Sequence, residues 1–344
     1  MKKVLLIFTL ITGLLSFAQL KNFSGKNISI KEFETKIQHA MDSLQVQGMS
    51  VGVINDNKIV YNKGFGYADI ALKKKVDHST FFEAASLSKP VFAFFVLTLA
   101  KEGKLNLDRP LFEYLPNENI ADERYKKITA RMVLSHTTGL PNWSETEKMK
   151  LESEPGQKFS YSGEAFMYLA KVIAELSGSS LKNLDNIFQN EVSKPLKLKD
   201  FHFIVTDKAE ENLAKGYQKK QLVKDERDRS LFDSAGGMYA NIENYGQFLI
   251  SLMNQQKKYA EMFKTEIQLE KNHPIAQYFG ISSWTLGLAV VKINNSENFW
   301  HGGNNLGYTS SFMINPEKKF GYVFFTNEDQ CNGMKKVLED LLWK

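Results

Sequence analysis

Residues 82–93 read FEAASLSKPVFA, and this stretch decides how the rest of the chain is organised. Two alanines lead into Ser86, and Pro90 opens a long apolar run, as in the first turn of a buried helix. We therefore expect Ser86 at or near a helix N-terminus, where free N–H groups and the helix dipole stabilise a developing anion. Lys89 returns to the same helix face, so its amine can take the Ser86 proton if burial or another cation lowers its pKa.

The Ser-x-x-Lys pattern also arises by chance, and alone it fits a serine that caps a helix beside a solvated lysine. Ser88 is the other candidate nucleophile in this stretch. It is adjacent to Lys89, however, and neighbours in a helix do not face each other. Ser86 is the better candidate, and other parts of the chain must supply the rest of a site.

The start of the chain is typical of a secretory signal peptide over residues 1–18. Lys2 and Lys3 precede a short apolar segment, and Ala18 offers a small residue for cleavage. The apolar segment is too short for a comfortable transmembrane helix, so no stable membrane span is expected. We predict an exported protein, periplasmic or extracellular, cleaved near Ala18; a retained N-terminal anchor is the alternative.

The composition is that of a globular protein with 344 residues, 43% of them hydrophobic and 24% charged. Loss of residues 1–18 removes two lysines and no acids, so the formal net charge falls from +5 to +3. This small and evenly spread charge does not indicate a nucleic-acid partner. Cys331 is the only cysteine, which excludes an internal disulfide and a thiol-based zinc site.

Strand patterns lie at both ends of the chain, and helix patterns fill the middle. The predicted strands span residues 49–54, 58–67, 285–293, 298–301, 309–314 and 320–325. The predicted helices span residues 30–46, 86–102, 129–135, 165–177, 181–192, 242–253 and 333–342.

This order predicts an α/β (α+β) fold with one antiparallel sheet built from both chain ends, flanking helices and an inserted, mostly helical lobe. Residues 19–344 are expected to form a single domain. Its sheet lobe would span about residues 30–85 and 280–344, and its helical lobe about residues 86–279.

A tyrosine follows a Pro-Gly turn in residues 154–163, EPGQKFSYSG. Tyr161 precedes a predicted helix, where its phenol can reach a cleft. A phenol has an ordinary pKa near 10, so Tyr161 acts as a base only if a cation such as Lys89 lowers that value. The alternative is a half-buried tyrosine with a hydrogen-bonded hydroxyl.

A histidine ends a predicted strand in residues 300–308, WHGGNNLGY. Gly302 and Gly303 follow His301 and leave backbone against which a substrate can lie. The alternative is a glycine-rich turn with a structural histidine. His136 is interpreted as structural at a helix end, and the remaining histidines lack the paired spacing of a metal site, so no metal or cofactor is predicted.

Together these motifs resemble the serine β-lactamase and penicillin-binding protein superfamily. The chain looks closest to the group of class C β-lactamases, D-alanyl-D-alanine carboxypeptidases, D-aminopeptidases and esterases. The resemblance covers residues 50–327 and rests on six motifs in order, namely SLSK (86–89), residues 99–116, LSHTTGLP (134–141), residues 155–161, AGG (235–237) and HGG (301–303).

The resemblance implies a serine hydrolase that forms an acyl-enzyme on Ser86. Lys89 and Tyr161 would share the proton transfers, and His301 would lie across the cleft from Lys89 and tune Tyr161. The backbone N–H groups of Ser86 and Asn304 would form the oxyanion hole. The expected substrate is a small molecule or a peptide-like compound.

Two positions depart from the family pattern. Gly163 stands where the second motif usually has asparagine, and Gly302 stands where the third usually has threonine or serine. Both losses weaken recognition of β-lactam-like groups, although Gly163, Gly302 and Gly303 still line the expected substrate path. An esterase, D-aminopeptidase or DD-peptidase-like activity therefore ranks above a β-lactamase proper, and a non-catalytic binding protein is the second alternative. The loops expected to shape the cleft are residues 142–154, 219–230 and 254–278.

Overall fold

The computed structural model describes residues 19–146, 148–224 and 226–344, so the predicted signal peptide lies outside the described residues. The helices of the described part are Ile30–Leu44 (α1), Ser88–Lys101 (α2), Ala130–Leu134 (α3), Gly163–Leu176 (α4), Leu184–Phe188 (α5), Asp207–Asn212 (α6), Ile242–Asn254 (α7), Pro274–Phe279 (α8) and Gly333–Leu342 (α9). Its strands are Gly48–Asn55 (β1), Lys58–Asp69 (β2), Lys74–Lys75 (β3), Phe82–Glu83 (β4), Tyr217–Gln218 (β5), Gln221–Leu222 (β6), Tyr239–Ala240 (β7), Ile267–Gln268 (β8), Ile281–Trp284 (β9), Ala289–Ile293 (β10), Ser296–Asn305 (β11), Tyr308–Asn315 (β12) and Phe320–Thr326 (β13).

One sheet carries the fold, with the strand order β3-β2-β1-β13-β12-β11-β10-β9-β8. All of its neighbouring strands are antiparallel, and β1 pairs with β13 so that Val51 lies opposite Phe324. This pairing joins the two ends of the chain and confirms the mixed fold with an antiparallel sheet. The short edge strands β3 and β8 were not predicted, because two residues are too few to show an alternating pattern.

Both faces of the central part of the sheet are buried, and the side chains of its central strands alternate between two cores. In β1, Val51 and Val53 belong to one core, whereas Ile54 belongs to the other. In β13, Phe324 and Phe325 divide in the same way.

Helices α1 and α9 cover the first face. In α1, Phe33 and Ile37 are fully buried one turn apart, which is the spacing of an amphipathic helix. Ser29 begins this helix, because its hydroxyl accepts the N–H of Glu32. In α9, Met334 and Leu338 fill the same core.

Helix α2 lies in the core on the other face and is buried from Ser88 to Leu99, which explains its almost unbroken apolar sequence. Phe92 packs against aromatic rings from three later segments, Phe166, Phe203 and Phe232. The prediction of one helix from residue 86 needs a correction, since Ala85–Leu87 forms a 3₁₀ turn and the α-helix starts at Ser88. The N-terminal end of a rigid, fully packed helix therefore carries Ser86.

The predicted helix over residues 181–192 is also divided, into α5 and a π-helical turn over Gln189–Ser193. No helix in the described part of the chain is both long enough and apolar enough to cross a membrane.

Candidate active site

Ser86 and Lys89 lie side by side where the 3₁₀ turn meets α2. The Lys89 Nζ is 3.1 Å from the Ser86 Oγ and also donates to the carbonyl oxygen of Ala235, at 2.7 Å. The AGG motif thus forms a turn that holds the lysine against the serine. The structure brings the two residues together as the motif predicts.

The backbone before the serine is strained. Ala85 is fully buried and has a φ of 51°, which is in the left-handed region that a side chain disfavours. Such a residue costs about 1–3 kcal/mol and persists only where its surroundings fix it. Here Ala84 is held on both sides: its N–H donates to Met238 and its carbonyl accepts from the Ser310 hydroxyl. This bend sets the direction of the Ser86 side chain.

Burial sets the charge of Lys89. The side chain is 1% exposed, and burial lowers its pKa to about 7, while Asp233 acts in the opposite direction. A large fraction of the amine is therefore neutral near pH 7 and has a lone pair for a proton. The amine is both close enough and basic enough to deprotonate Ser86.

Ser88 has a structural role in the described structure. It is fully buried, its hydroxyl donates to the carbonyl of Ala85, and the N–H of Met238 donates to it. Both of its bonds hold the turn that carries Ser86. The choice of Ser86 over Ser88 as the candidate nucleophile agrees with this placement.

Tyr161 lies immediately before α4. Ser162 caps that helix by accepting the N–H of Ala165, and its own hydroxyl donates to the carbonyl of Pro141. These bonds aim the half-buried Tyr161 into the cleft, where its ring centroid is 4.9 Å from the Lys89 Nζ. The predicted Tyr161 and Lys89 therefore meet.

The expected electrostatics of Tyr161 need a correction. Burial raises the pKa of its phenol above the usual range, and a hydrogen bond with Ser86 only partly opposes this. Lys89 does not lower it, so burial rather than a neighbouring cation sets the pKa of the phenol. The phenol stays protonated, so Tyr161 can donate and relay a proton but does not rest as a phenolate.

His136 lies beneath Tyr161, and the two rings stack with centroids 4.2 Å apart. Its Nδ1 accepts the N–H of Ser162 at 3.1 Å, and the ring is fully buried. Burial, with the charges of Lys89 and His301, lowers its pKa well below the ordinary value, so the ring is neutral. This is the structural role predicted for His136, now located under the tyrosine of the site.

His301 lies on β11 across the cleft. Its ring is 1% exposed, its Nδ1 is 2.8 Å from the carbonyl of Gly302, and its centroid is 6.2 Å from that of Tyr161. Burial and the Lys89 charge lower its pKa to about 3. The ring is therefore neutral at ordinary pH and lacks the charge that tuning of Tyr161 would require.

Gly303 lets β11 pass directly beside the serine. A Cβ at this position would lie 2.9 Å from the Ser86 nitrogen and 2.7 Å from the carbonyl oxygen of Ala84, which no side chain tolerates. The side chain of Asn304 bonds to Asp329, with its Nδ2 2.7 Å from that carboxylate. The backbone at Asn304 thus reaches the cleft while its side chain is held elsewhere, and the oxyanion hole of Ser86 and Asn304 N–H groups stays a prediction.

Sequence reasoning missed Glu83, a buried carboxylate three residues before Ser86. Its Oε2 accepts hydrogen bonds from Arg227 and from the Nδ2 of Asn305, each at 2.6 Å. The same Nδ2 is 3.1 Å from the carbonyl of Gly236. An acid within an apolar stretch was the available signal, because a buried carboxylate needs a charged or polar partner.

Ser86 opens into two chambers that share Asn142, Tyr161 and Asn304. The smaller has a volume of about 240 Å³ and includes Ile275, Phe279, Trp284, Trp300, His301 and Gly302. The larger has a volume of about 840 Å³ and includes Lys89, Trp143, Lys224, Glu226, Arg227 and Leu306. All three loops expected to shape the cleft contribute to these walls.

The two departing glycines are each covered by an indole. A Cβ on Gly163 would lie 2.5 Å from the Trp143 ring, and a Cβ on Gly302 would lie 2.7 Å from the Trp300 ring. Apolar rings thus occupy the space next to these backbones. In the part of the chain that the structure describes, no three His, Cys, Asp or Glu side chains are grouped to hold a metal.

Comparison with known proteins defines the class. The profile of the Beta-lactamase family matches residues 33–343. Protein flp from Staphylococcus aureus (strain NCTC 8325 / PS 47) is 25% identical over 324 residues, which cover 88% of this chain and 64% of that protein. The chain therefore spans less than two thirds of the length of this relative.

Two solved structures share the fold, each at 21% identity. The octameric penicillin-binding protein homologue from Pyrococcus abyssi has a TM-score of 0.77, with 92% of this chain and 78% of that chain covered. EstCE1, described as a hydrolase with promiscuous acyltransferase activity, has a TM-score of 0.76, with 91% and 98% covered. The chain belongs to the Beta-lactamase family.

Proposed function

We propose that this chain is an exported serine hydrolase that cleaves an ester or amide through an acyl-enzyme on Ser86. The observation that carries the proposal is the 3.1 Å approach of the Lys89 amine to the Ser86 hydroxyl, combined with burial that lowers the Lys89 pKa to about 7. A serine is a weak nucleophile until an adjacent base takes its proton.

Acylation begins as neutral Lys89 accepts the hydroxyl proton and the Ser86 Oγ bonds to the substrate carbonyl carbon. The carbonyl oxygen becomes an oxyanion that accepts hydrogen bonds from the N–H groups of Ser86 and Asn304. One such donor contributes roughly 3–4 kcal/mol to the transition state. The proton then passes through the Tyr161 hydroxyl to the leaving group, whose bond to the carbonyl carbon breaks.

Deacylation repeats these transfers with water. The water gives its proton to the Tyr161–Lys89 pair as its oxygen bonds to the acyl carbon. Ser86 regains a proton as its ester bond breaks and the acid leaves. A protonated Tyr161 suits this relay, because the same hydroxyl must both give and receive.

An ester or peptide-like substrate is favoured over a β-lactam. Gly163 offers no side-chain amide and Gly302 no hydroxyl, and rings of Trp143 and Trp300 fill the space beside them. A site that lacks polar partners selects weakly for substrates that carry amides and carboxylates. Gly163, Gly302 and Gly303 would then contact substrate through the backbone alone.

Active-site labelling tests the acyl-enzyme. A fluorophosphonate probe should label the wild type and fail to label Ser86→Ala. Ser160→Ala is the matched control, since Ser160 is close in sequence to Tyr161 but lines neither chamber. Equal labelling of Ser86→Ala, or no labelling of the wild type, would refute the proposal and favour a non-catalytic binding protein.

A substrate panel separates the activities. Chromogenic esters, D-amino acid amides and a chromogenic cephalosporin report esterase, aminopeptidase and β-lactamase activity respectively. We expect kcat/KM to be highest for the esters or amides and lowest for the cephalosporin. The opposite order would identify a β-lactamase proper.

Export is the remaining part of the proposal. Residues 1–18 combine a basic start with a short apolar segment. N-terminal sequencing of the protein from fractionated cells should find cleavage near Ala18 in the exported fraction. An uncleaved chain that stays with the membrane would indicate a retained anchor.

A further inference from the structure

Two exposed apolar side chains from different segments of the chain line the larger chamber beside Ser86. Trp143 is 56% exposed and Leu306 is 54% exposed, and both line the larger chamber beside Ser86. Exposed tryptophan and leucine carry a solvation penalty that contact with an apolar ligand relieves.

The loop that carries Trp143 is fixed to the start of α4. The main-chain carbonyl of Asn142 accepts from the N–H groups of Gly163 and Glu164, at 3.0 and 3.1 Å. On the other side of the tryptophan, the N–H of Ser144 donates to the Glu164 carboxylate at 3.1 Å. The backbone that carries the indole is therefore positioned before any substrate arrives, so little ordering of this loop opposes binding.

Gly163 is the residue that admits this indole. A Cβ there would lie 2.5, 2.6 and 2.9 Å from three atoms of the Trp143 ring. Contacts under about 3 Å are far inside van der Waals separation, so any other residue would displace the ring. The missing Cβ at Gly163 therefore makes room for the Trp143 ring, which lines the larger chamber.

Leu306 is fixed as well. It occupies the two-residue turn between β11 and β12, and the backbone of Gly307 packs against Gly216, since a Cβ there would lie 2.9 Å from the Gly216 Cα. On the other flank, Asn305 is bonded to the buried Glu83. Both apolar groups are thus carried by anchored segments.

We propose that Trp143 and Leu306 form an apolar clamp for the acyl group of the substrate, and that the preferred acyl group is an uncharged aliphatic or aromatic one. This inference rests on the proposed function. The acyl arm is assigned to the larger chamber because Trp143 and Leu306 line it beside Ser86, whereas His301 lines only the smaller chamber. The charged side chains of Lys224, Glu226, Arg227 and Asp233 also line the larger chamber, so a ligand that fills it meets polar groups as well as the clamp.

The test uses p-nitrophenyl esters of acetate, butanoate, hexanoate and octanoate with the wild type, Trp143→Ala, Leu306→Ala and the double variant. Burial of one methylene changes an equilibrium by about fourfold, so partial burial predicts a gain of roughly two- to fourfold in kcat/KM per added methylene. The octanoate-to-acetate ratio of kcat/KM should fall at least tenfold in Trp143→Ala and further in the double variant. Leu72→Ala, an exposed leucine that lines neither chamber, should keep the wild-type ratio.

Two results would overturn the clamp. One is an unchanged octanoate-to-acetate ratio in both single variants. The other is a kcat/KM for alkyl acetates that rises with the length of the alcohol in the wild type but not in Trp143→Ala. That result would place the leaving group, rather than the acyl group, against Trp143. The Ser86→Ala variant separates this failure from failure of the proposed function. If Ser86→Ala hydrolyses the acetate ester as fast as the wild type, the serine mechanism itself is refuted.

Discussion

Trp143 and Trp300 line different chambers of the cleft, and each covers a glycine. Trp300 is 4% exposed, its Nε1 donates to Ser311 at 2.7 Å, and its ring centroid is 4.8 Å from that of Phe279. Trp143 is 56% exposed and belongs to neither core. An indole packed on a glycine thus belongs to the core at Trp300 and faces solvent at Trp143. We therefore expect Trp300 to support the fold and Trp143 to select the substrate.

The largest effect should come from deleting the buried ring. Trp300→Ala removes a large side chain from the core and should lower the free energy of unfolding by about 3–5 kcal/mol. Trp143→Ala should change it by about 0.5 kcal/mol or less, because a surface substitution leaves no cavity. Urea denaturation measures both values, and similar losses in the two variants would break the comparison.

A smaller effect should follow from filling the glycine on the core wall. In Gly302→Ala the new methyl would meet the Trp300 ring at 2.7 Å, and that ring is fixed by its own packing. Overpacking of this kind costs about 1–3 kcal/mol. A midpoint in urea equal to that of the wild type would show that the Trp300 ring can move.

The matched substitution beside the exposed ring, Gly163→Ala, should lower the free energy of unfolding by less. Gly163→Ala also introduces a clash, at 2.5 Å, but the Trp143 ring can swing into solvent. Because the ring can move away, the change in unfolding free energy should stay within about 1 kcal/mol. Quenching of Trp143 fluorescence by iodide should increase as the ring leaves the helix. A loss of stability as large as that of Gly302→Ala would contradict the assignment of a mobile ring.

The smallest effect concerns pH and His301. The kcat/KM for an acetate ester should rise with pH and level off above about 7, because only neutral Lys89 accepts the serine proton and burial lowers its pKa to about 7. His301 has a pKa lowered to about 3 and is already neutral in this range. His301→Gln should therefore keep the midpoint near 7 even if the rate falls. A midpoint that moves by one pH unit would show that His301 carries charge in the active range.

Much of the fold was readable from local signals. The turn at Asp56 and Asn57, which both adopt positive φ, joins two strands as the sequence predicted. The pairing of β1 with β13 followed from strand patterns at both chain ends. Strand β8 could not be predicted from the sequence, because its two residues carry no strand pattern and pair with β9 only in the folded chain.

The sequence predicted which residues form the candidate site but not their pKa shifts. Ser86, Lys89, Tyr161 and His301 meet as the motifs predicted. The directions of the Tyr161 and His301 pKa shifts depend on burial by distant segments, which no local pattern encodes. Trp143 lies in a loop and Gly163 begins a helix 20 residues later in the sequence. Neither residue alone therefore predicts its contact with the other.

The buried amine of Lys89 also couples folding to protons. In the unfolded chain its pKa returns to the ordinary 10.5, whereas in the folded chain it is about 7. Between these values the unfolded state binds the extra proton, so this group makes the fold more stable as pH rises through that window and least stable below it. Folding at mildly alkaline pH thus releases about one proton from this residue. The burial that provides a base for Ser86 therefore also lowers stability at neutral pH, and this loss is recovered as the pH rises toward 10.5.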